Sequence, residues 1–70
     1  MKRKSFEDRV REVEDFVIEL KNKGRTRVTL EELMDVFKLS ANYLRDIIKI
    51  LLIKHPDWEY KSRVLILERS

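Results

Sequence analysis

Cysteine and glutamine are absent from this chain, and glycine, proline, histidine and tryptophan occur once each. Without cysteine there is neither a disulfide framework nor a zinc site built on thiolates, and a reducing cytoplasm is the expected compartment. With Gly24 as the lone glycine, no glycine-rich loop exists to cradle a phosphate. Long apolar runs are missing too. The best of them, Ile47-Ile48-Lys49-Ile50-Leu51-Leu52-Ile53, is broken by a lysine and falls far short of the roughly 20 residues that a membrane span needs. The basic start, Met1-Lys2-Arg3-Lys4, leads into Glu7, Asp8 and Arg9 rather than into an apolar signal region. The expectation is a soluble, untargeted protein with no membrane partner.

What remains is rich in charge. Charged residues fill 41% of the 70 positions and apolar residues 43%, a balance that suits an amphipathic globule and not a disordered tail. A chain this short allows one compact, well-filled domain and leaves little material for an active-site cavity. The net charge is +3, but Glu7, Asp8, Glu12, Glu14, Asp15 and Glu19 crowd one early segment against only Arg9 and Arg11. The remainder is therefore basic, which points to an acidic outer helix and a basic working face of the kind that meets a polyanion. Abundant Lys, Arg, Glu and Ile beside the missing glutamine lean towards the composition of a thermophile.

Periodicity divides the chain into short elements. Phe6, Val10, Val13, Val17 and Leu20 recur at helical spacing, predicting a helix over 5–23 with Ser5 as its cap and Gly24 at its end. Phe16 falls at the margin of this stripe and Ile18 outside it. A short strand is expected at 25–28. Thr29 and Glu32 carry the signature of a capping box for a helix over 30–38, with Leu30, Leu33, Met34 and Phe37 inward and Glu31, Glu32, Asp35 and Lys38 outward. Lys38-Leu39-Ser40 reads as a turn. Ser40 then caps a helix over 41–54, which Pro56 stops. Leu44, Ile47, Ile48 and Leu51 share one side of that helix, and Asn42, Arg45, Asp46 and Lys49 the other.

After Pro56 the period becomes two, giving a hairpin over 57–68 that turns at Lys61-Ser62 and has a basic tip. Its second arm is apolar at every position from 64 to 67, so that strand is covered on both faces or lies centrally in its sheet. The fold class expected is mainly α with a small antiparallel β element, in the order helix-strand-helix-helix-strand-strand.

Catalytic arrangements fail on geometry. Ser40 and His55 stand at opposite ends of one helix, about 20 Å apart at a rise of roughly 1.5 Å per residue, so they cannot act as nucleophile and base. His55 is expected to interact with the helix C-terminus, where positive charge is favourable. Glu31 and Asp35, one turn apart on a solvated face, make a poor cation site. No enzymatic activity, metal, cofactor or small-molecule substrate is expected.

The stretch 28–48 carries Thr29, the acidic pair Glu31-Glu32 ahead of Leu33, the turn Leu39-Ser40, and a helix opening Ala41-Asn42-Tyr43-Leu44-Arg45. It resembles the helix-turn-helix of winged-helix transcription regulators, and the element order of nearly the whole chain is similar to theirs. Phe37 and Lys38 depart from that pattern, standing where many relatives have small or glycine-like turn residues. Ala41 and Asp46 also make the third helix less basic than usual. The resemblance implies that this helix enters the major groove of duplex DNA through Asn42, Tyr43, Arg45, Asp46 and Lys49. It further implies that Lys61, Ser62 and Arg63 form a wing beside it.

The residue types suit that task. An arginine fork such as that of Arg45 matches guanine O6 and N7, an asparagine such as Asn42 pairs with adenine, and Lys49 suits a phosphate. Asp46 either accepts from cytosine N4 or holds Lys49 or Asn42 in position. Each assignment has a plainer counterpart. The polar face of the third helix is also what an ordinary solvated face looks like, Lys61 and Arg63 suit any exposed turn, and Lys2, Arg3 and Lys4 are either a DNA-backbone arm or a loose terminus. Tyr43, Ile47, Ile50, Ile18 and Trp58 are either core and core margin or the surface of a homodimer. The function expected is sequence-dependent duplex DNA binding as a small transcriptional regulator. A protein-docking winged helix within a larger nucleic-acid-processing assembly is the main alternative, and structured RNA a third partner class.

Overall fold

Each of the three helices begins at a hydroxyl side chain. In the computed structural model, which describes residues 5–68, Ser5 caps α1 (Phe6–Asn22), Thr29 caps α2 (Leu30–Phe37) and Ser40 caps α3 (Ala41–Lys54). Every cap oxygen accepts from the amide three residues on, at 3.1 Å from Asp8, 3.1 Å from Glu32 and 3.3 Å from Tyr43. The Ser5 cap is reciprocal, since the Asp8 carboxylate accepts from the Ser5 amide. Glu32 also reaches back towards Thr29, but its main partner is Arg25, whose guanidinium meets both carboxylate oxygens at 2.9 Å. That fork holds the Glu32 carboxyl below its ordinary pKa. The basic triplet 2–4, expected as an arm, lies outside the described residues.

Helix α1 ends where the single glycine permits it. Gly24 has φ 95°, its amide donates to the Lys21 carbonyl, and the Arg25 amide donates to Leu20, the paired bonds of a Schellman ending. This exit occupies the residues that were expected to begin the first strand, so β1 runs over Arg27–Thr29 instead of 25–28. The Arg25 guanidinium also donates to the Arg27 carbonyl at 3.0 Å, which occupies part of the open edge of β1. Helix α2 is one residue shorter than expected because Lys38 is its cap, in the left-handed region at φ 56°.

The remaining strands are β2 (Glu59–Lys61) and β3 (Val64–Ile66), and the antiparallel sheet has the order β1-β3-β2. The all-apolar strand is thus the central one. Lys61 pairs with Val64 in the ladder, so the turn consists of Ser62 and Arg63, one residue beyond the expected Lys61-Ser62. Both have positive φ, 53° and 62°, as a tight two-residue hairpin with right-twisted strands requires. The complete order, α1-β1-α2-α3-β2-β3, is the one read from the sequence.

The core is assembled around α3. Leu44, Ile47, Ile48 and Leu51 pack with Val10, Val13 and Val17 of α1, Leu30 and Leu33 of α2, and Val28, Leu65 and Leu67 from the sheet side. No buried residue among those described is polar or charged. Trp58, considered as a surface residue for a dimer, is only 5% exposed and belongs to this core. Ile18 is half-buried against it, as are Phe16, Tyr43 and Ile50, so these residues form the core margin. No helix among the described residues is long and apolar enough to cross a membrane.

One polar tie joins α1 to the end of α3. His55 caps α3 through its backbone amide, but its side chain does not turn to the helix carbonyls. Instead Nε2 meets Glu14 Oε2 at 2.6 Å while the ring stacks on Trp58 with centroids 3.9 Å apart. Lys54 takes the other Glu14 oxygen at 3.1 Å. The hydrogen bond from His55 is the largest influence lowering the Glu14 pKa, with Lys54 adding to it and burial opposing.

Two outcomes follow from these local geometries. Lys38→Gly relieves a side chain from the left-handed region and should raise unfolding stability by about 1 kcal/mol in a urea titration; a loss would contradict the assigned cap. Glu14→Gln should cost roughly 1–2 kcal/mol near neutral pH. A carboxyl with a lowered folded pKa stabilises above its unfolded value of 4.5 and loses that contribution as pH falls through the folded value. The gap between the two proteins should therefore narrow in acid, and a gap unchanged from neutral pH to strong acid would show that the charge of Glu14 plays no part.

Candidate nucleic-acid interface

Helical geometry separates α3 into two faces. The four core residues point inward, and at 100° per residue Asn42, Asp46 and Lys49 lie opposite them, with Arg45 to one side. Asn42, Arg45, Asp46 and Lys49 are all exposed. Ile53 shares this outward sector and is 79% exposed, an apolar member of the face that the sequence reading passed over. Tyr43 is different. It is half-buried, and its ring meets Phe6 of α1 edge-on with centroids 5.7 Å apart, so it turns towards α1 and away from the polar face.

Asp46 stands alone. Its side chain makes no ion pair or hydrogen bond among the described residues, so it holds neither Lys49 nor Asn42 in place. Its carboxylate is left to solvent, between Arg45 and Lys49 along the chain.

Lys61, Ser62 and Arg63 are exposed at the end of the hairpin. The turn is tied to the helix-turn-helix segment, because the Leu30 amide at the start of α2 donates to the Arg63 carbonyl at 2.8 Å. Neither Ser62 nor Arg63 is a glycine, asparagine or aspartate, the residues this turn favours. A side chain in the left-handed region costs about 1–2 kcal/mol, so the strain here keeps an arginine where glycine would be easier.

Ion pairing sorts the cations of the molecule. Arg9, Lys21, Lys23, Arg25, Lys38 and Lys54 each lie within 4.0 Å of a carboxylate. Arg45 and Lys49 on α3, Lys61 and Arg63 on the hairpin, Arg27 on β1 and Arg11 on α1 have no such partner among the described residues. Arg27 was not singled out from the sequence. Its position becomes visible only once the strand register is known.

A groove of about 250 Å³ runs between α1 and α3, lined by Phe6, Glu7, Val10, Arg11, Ile50 and Lys54. It lies along the flank of α3 away from the Asn42–Lys49 sector and carries both signs of charge. Among the described residues no group of three or more histidine or acidic side chains is placed to hold a metal ion. Comparison of the chain with protein-family models, with curated proteins and with solved structures finds no match.

Proposed function

We propose that the chain is a winged-helix protein that binds duplex DNA in a sequence-dependent way, acting in the cytoplasm as a small transcriptional regulator without catalytic activity or cofactor. The observation that carries this reading is the distribution of unpaired cations. Of the three cations on α1, Arg9 and Lys21 lie beside carboxylates, and α2 carries no cation, whereas among the described residues the outward sector of α3 and the hairpin end leave theirs unpaired. Free cations are what phosphate binding requires, and the Arg45 fork with the Asn42 amide supplies base-edge chemistry on the same helix. Tyr43 contributes by fixing α3 against Phe6. A two-fold dimer reading two half-sites is the assembly this function favours.

A second reading rests on a separate observation, the exposure of Ile53 and of Val36 at 51% on α2. Apolar side chains left in water suit a protein-docking face. Salt distinguishes the two, since an apolar contact survives high ionic strength and a phosphate contact does not.

Selection of bound sequences from a random duplex pool, with mass measured in solution, tests the main reading. An enriched two-fold site bound by a dimer is the expected result, and absence of duplex binding at low salt would refute it. On the best site Arg45→Ala should cost roughly 1–3 kcal/mol, whereas Lys61→Ala should weaken selected and scrambled duplexes alike. Arg63→Gly should act in opposite directions on two readouts. Relief of the strained turn should raise thermal stability by about 1 kcal/mol, while duplex affinity falls; affinity left unchanged would remove Arg63 from the interface.

A further inference from the structure

The sheet has a second face, and strand register identifies what it carries. The row Val28, Leu65 and Tyr60 faces the core, with Val28 and Leu65 fully buried. Side chains alternate along a strand, so the rows Arg27, Ile66, Glu59 and Thr29, Val64, Lys61 face the other way. Val64 and Ile66 are only half-buried there, and neither is among the apolar residues packed against the core. They form a narrow apolar strip, with Arg27 and Glu59 beside one end and Thr29 and Lys61 beside the other.

Arg27 and Lys61 therefore occupy opposite corners of one small surface. Two strand spacings and two residues of rise separate them, about 12 Å between backbones. That distance is of the same order as the roughly 12 Å width of the major groove between lines of phosphate. Both side chains are exposed and neither pairs with a carboxylate among the described residues, although Glu59 shares their face. Arg63 continues the positive charge from the Lys61 corner around the turn. The stems of Arg27 and Lys61 can lie over the apolar strip while their charged ends project beyond it.

We propose that this outer sheet face is a phosphate-contacting surface for the DNA backbone, with Arg27 as its far anchor and Lys61 and Arg63 as its near one. The inference rests on the DNA-binding reading and extends it. The hairpin end is not a lone fingertip; a basic plane that includes β1 tracks the duplex. Such contacts supply affinity and register but carry no base preference.

Arg27→Gln and Arg27→Lys, compared with the unaltered protein, test it. Binding to a selected and a scrambled duplex is followed by fluorescence anisotropy across a potassium chloride series, and thermal melts confirm that each variant folds. Arg27→Gln should reduce the slope of log affinity against log salt by roughly 0.9 on both duplexes, the signature of one lost phosphate contact. Arg27→Lys should restore it. An unchanged slope in Arg27→Gln, a loss confined to the selected duplex, or a failure of lysine to restore the slope each overturns the sheet face and leaves the α3 reading standing. If the unaltered protein binds neither duplex, the DNA-binding reading fails and this inference falls with it.

Discussion

The packing of one side of α3 governs the rest of the molecule. Leu44, Ile47, Ile48 and Leu51 are removed from water by α1 and α2, and the same helix touches β2. Among the described residues no element covers the opposite face of that helix, where Asn42, Arg45, Asp46, Lys49 and Ile53 are exposed. The side opposite the core is left to solvent, so the residues on it are free to be chosen for interaction. The orientation of Asn42, Arg45, Asp46 and Lys49 is thus a consequence of where the apolar residues stand.

With so little core, backbone direction has to be set locally. Hydroxyl caps start all three helices, and the one glycine is used for the sharp exit from α1, where φ 95° would strain any side chain. No glycine is left for the end of α2 or for the hairpin turn. Lys38, Ser62 and Arg63 take left-handed conformations there. Their strain is borne by the structure around them: the Lys38 amide is bonded to Met34 and the Arg63 carbonyl to Leu30. Lys38 thus gives α2 the left-handed ending that glycine would provide, with a side chain attached.

Elements marked by local chemistry were legible in the sequence, and those fixed by distant contacts were not. Ser40 and Pro56 bracket α3, and its limits are those read from the residues. β1 began later than expected because a glycine near a helix end specifies where the helix stops but not how many residues the exit consumes. The hairpin turn moved by one position because register, set by pairing with β3, decides which residues are central. His55 was correctly placed at the helix end, yet its side-chain partner is Glu14, 41 residues away, which no local pattern could reveal. For the same reason the pairing of Arg25 with Glu32 outcompeted the simple capping box. The exposed residues of α3 were legible from its period, while the edge-on contact of Tyr43 with Phe6 was not, because Phe6 lies on another helix. Arg27 was invisible until the strands were aligned.

In the proposed DNA-binding function, the solvent-facing charges on α3 imply a division of labour. Arg45 and Lys49 are partly offset by Asp46, so this helix offers little net attraction to a polyanion. An unpaired carboxylate facing a groove is repelled by every phosphate and compensated only where a base edge donates to it, as cytosine N4 does. Such a group lowers affinity everywhere and least at the matching site, which increases discrimination. Attraction must then come from surfaces without a base-reading role. The hairpin end and the outer sheet face meet that requirement, because Arg27, Lys61 and Arg63 pair with no carboxylate among the described residues. On the proposed function, specificity in α3 and affinity in the sheet follow from one constraint: the helix that packs the core has a single exposed side, too small to carry both.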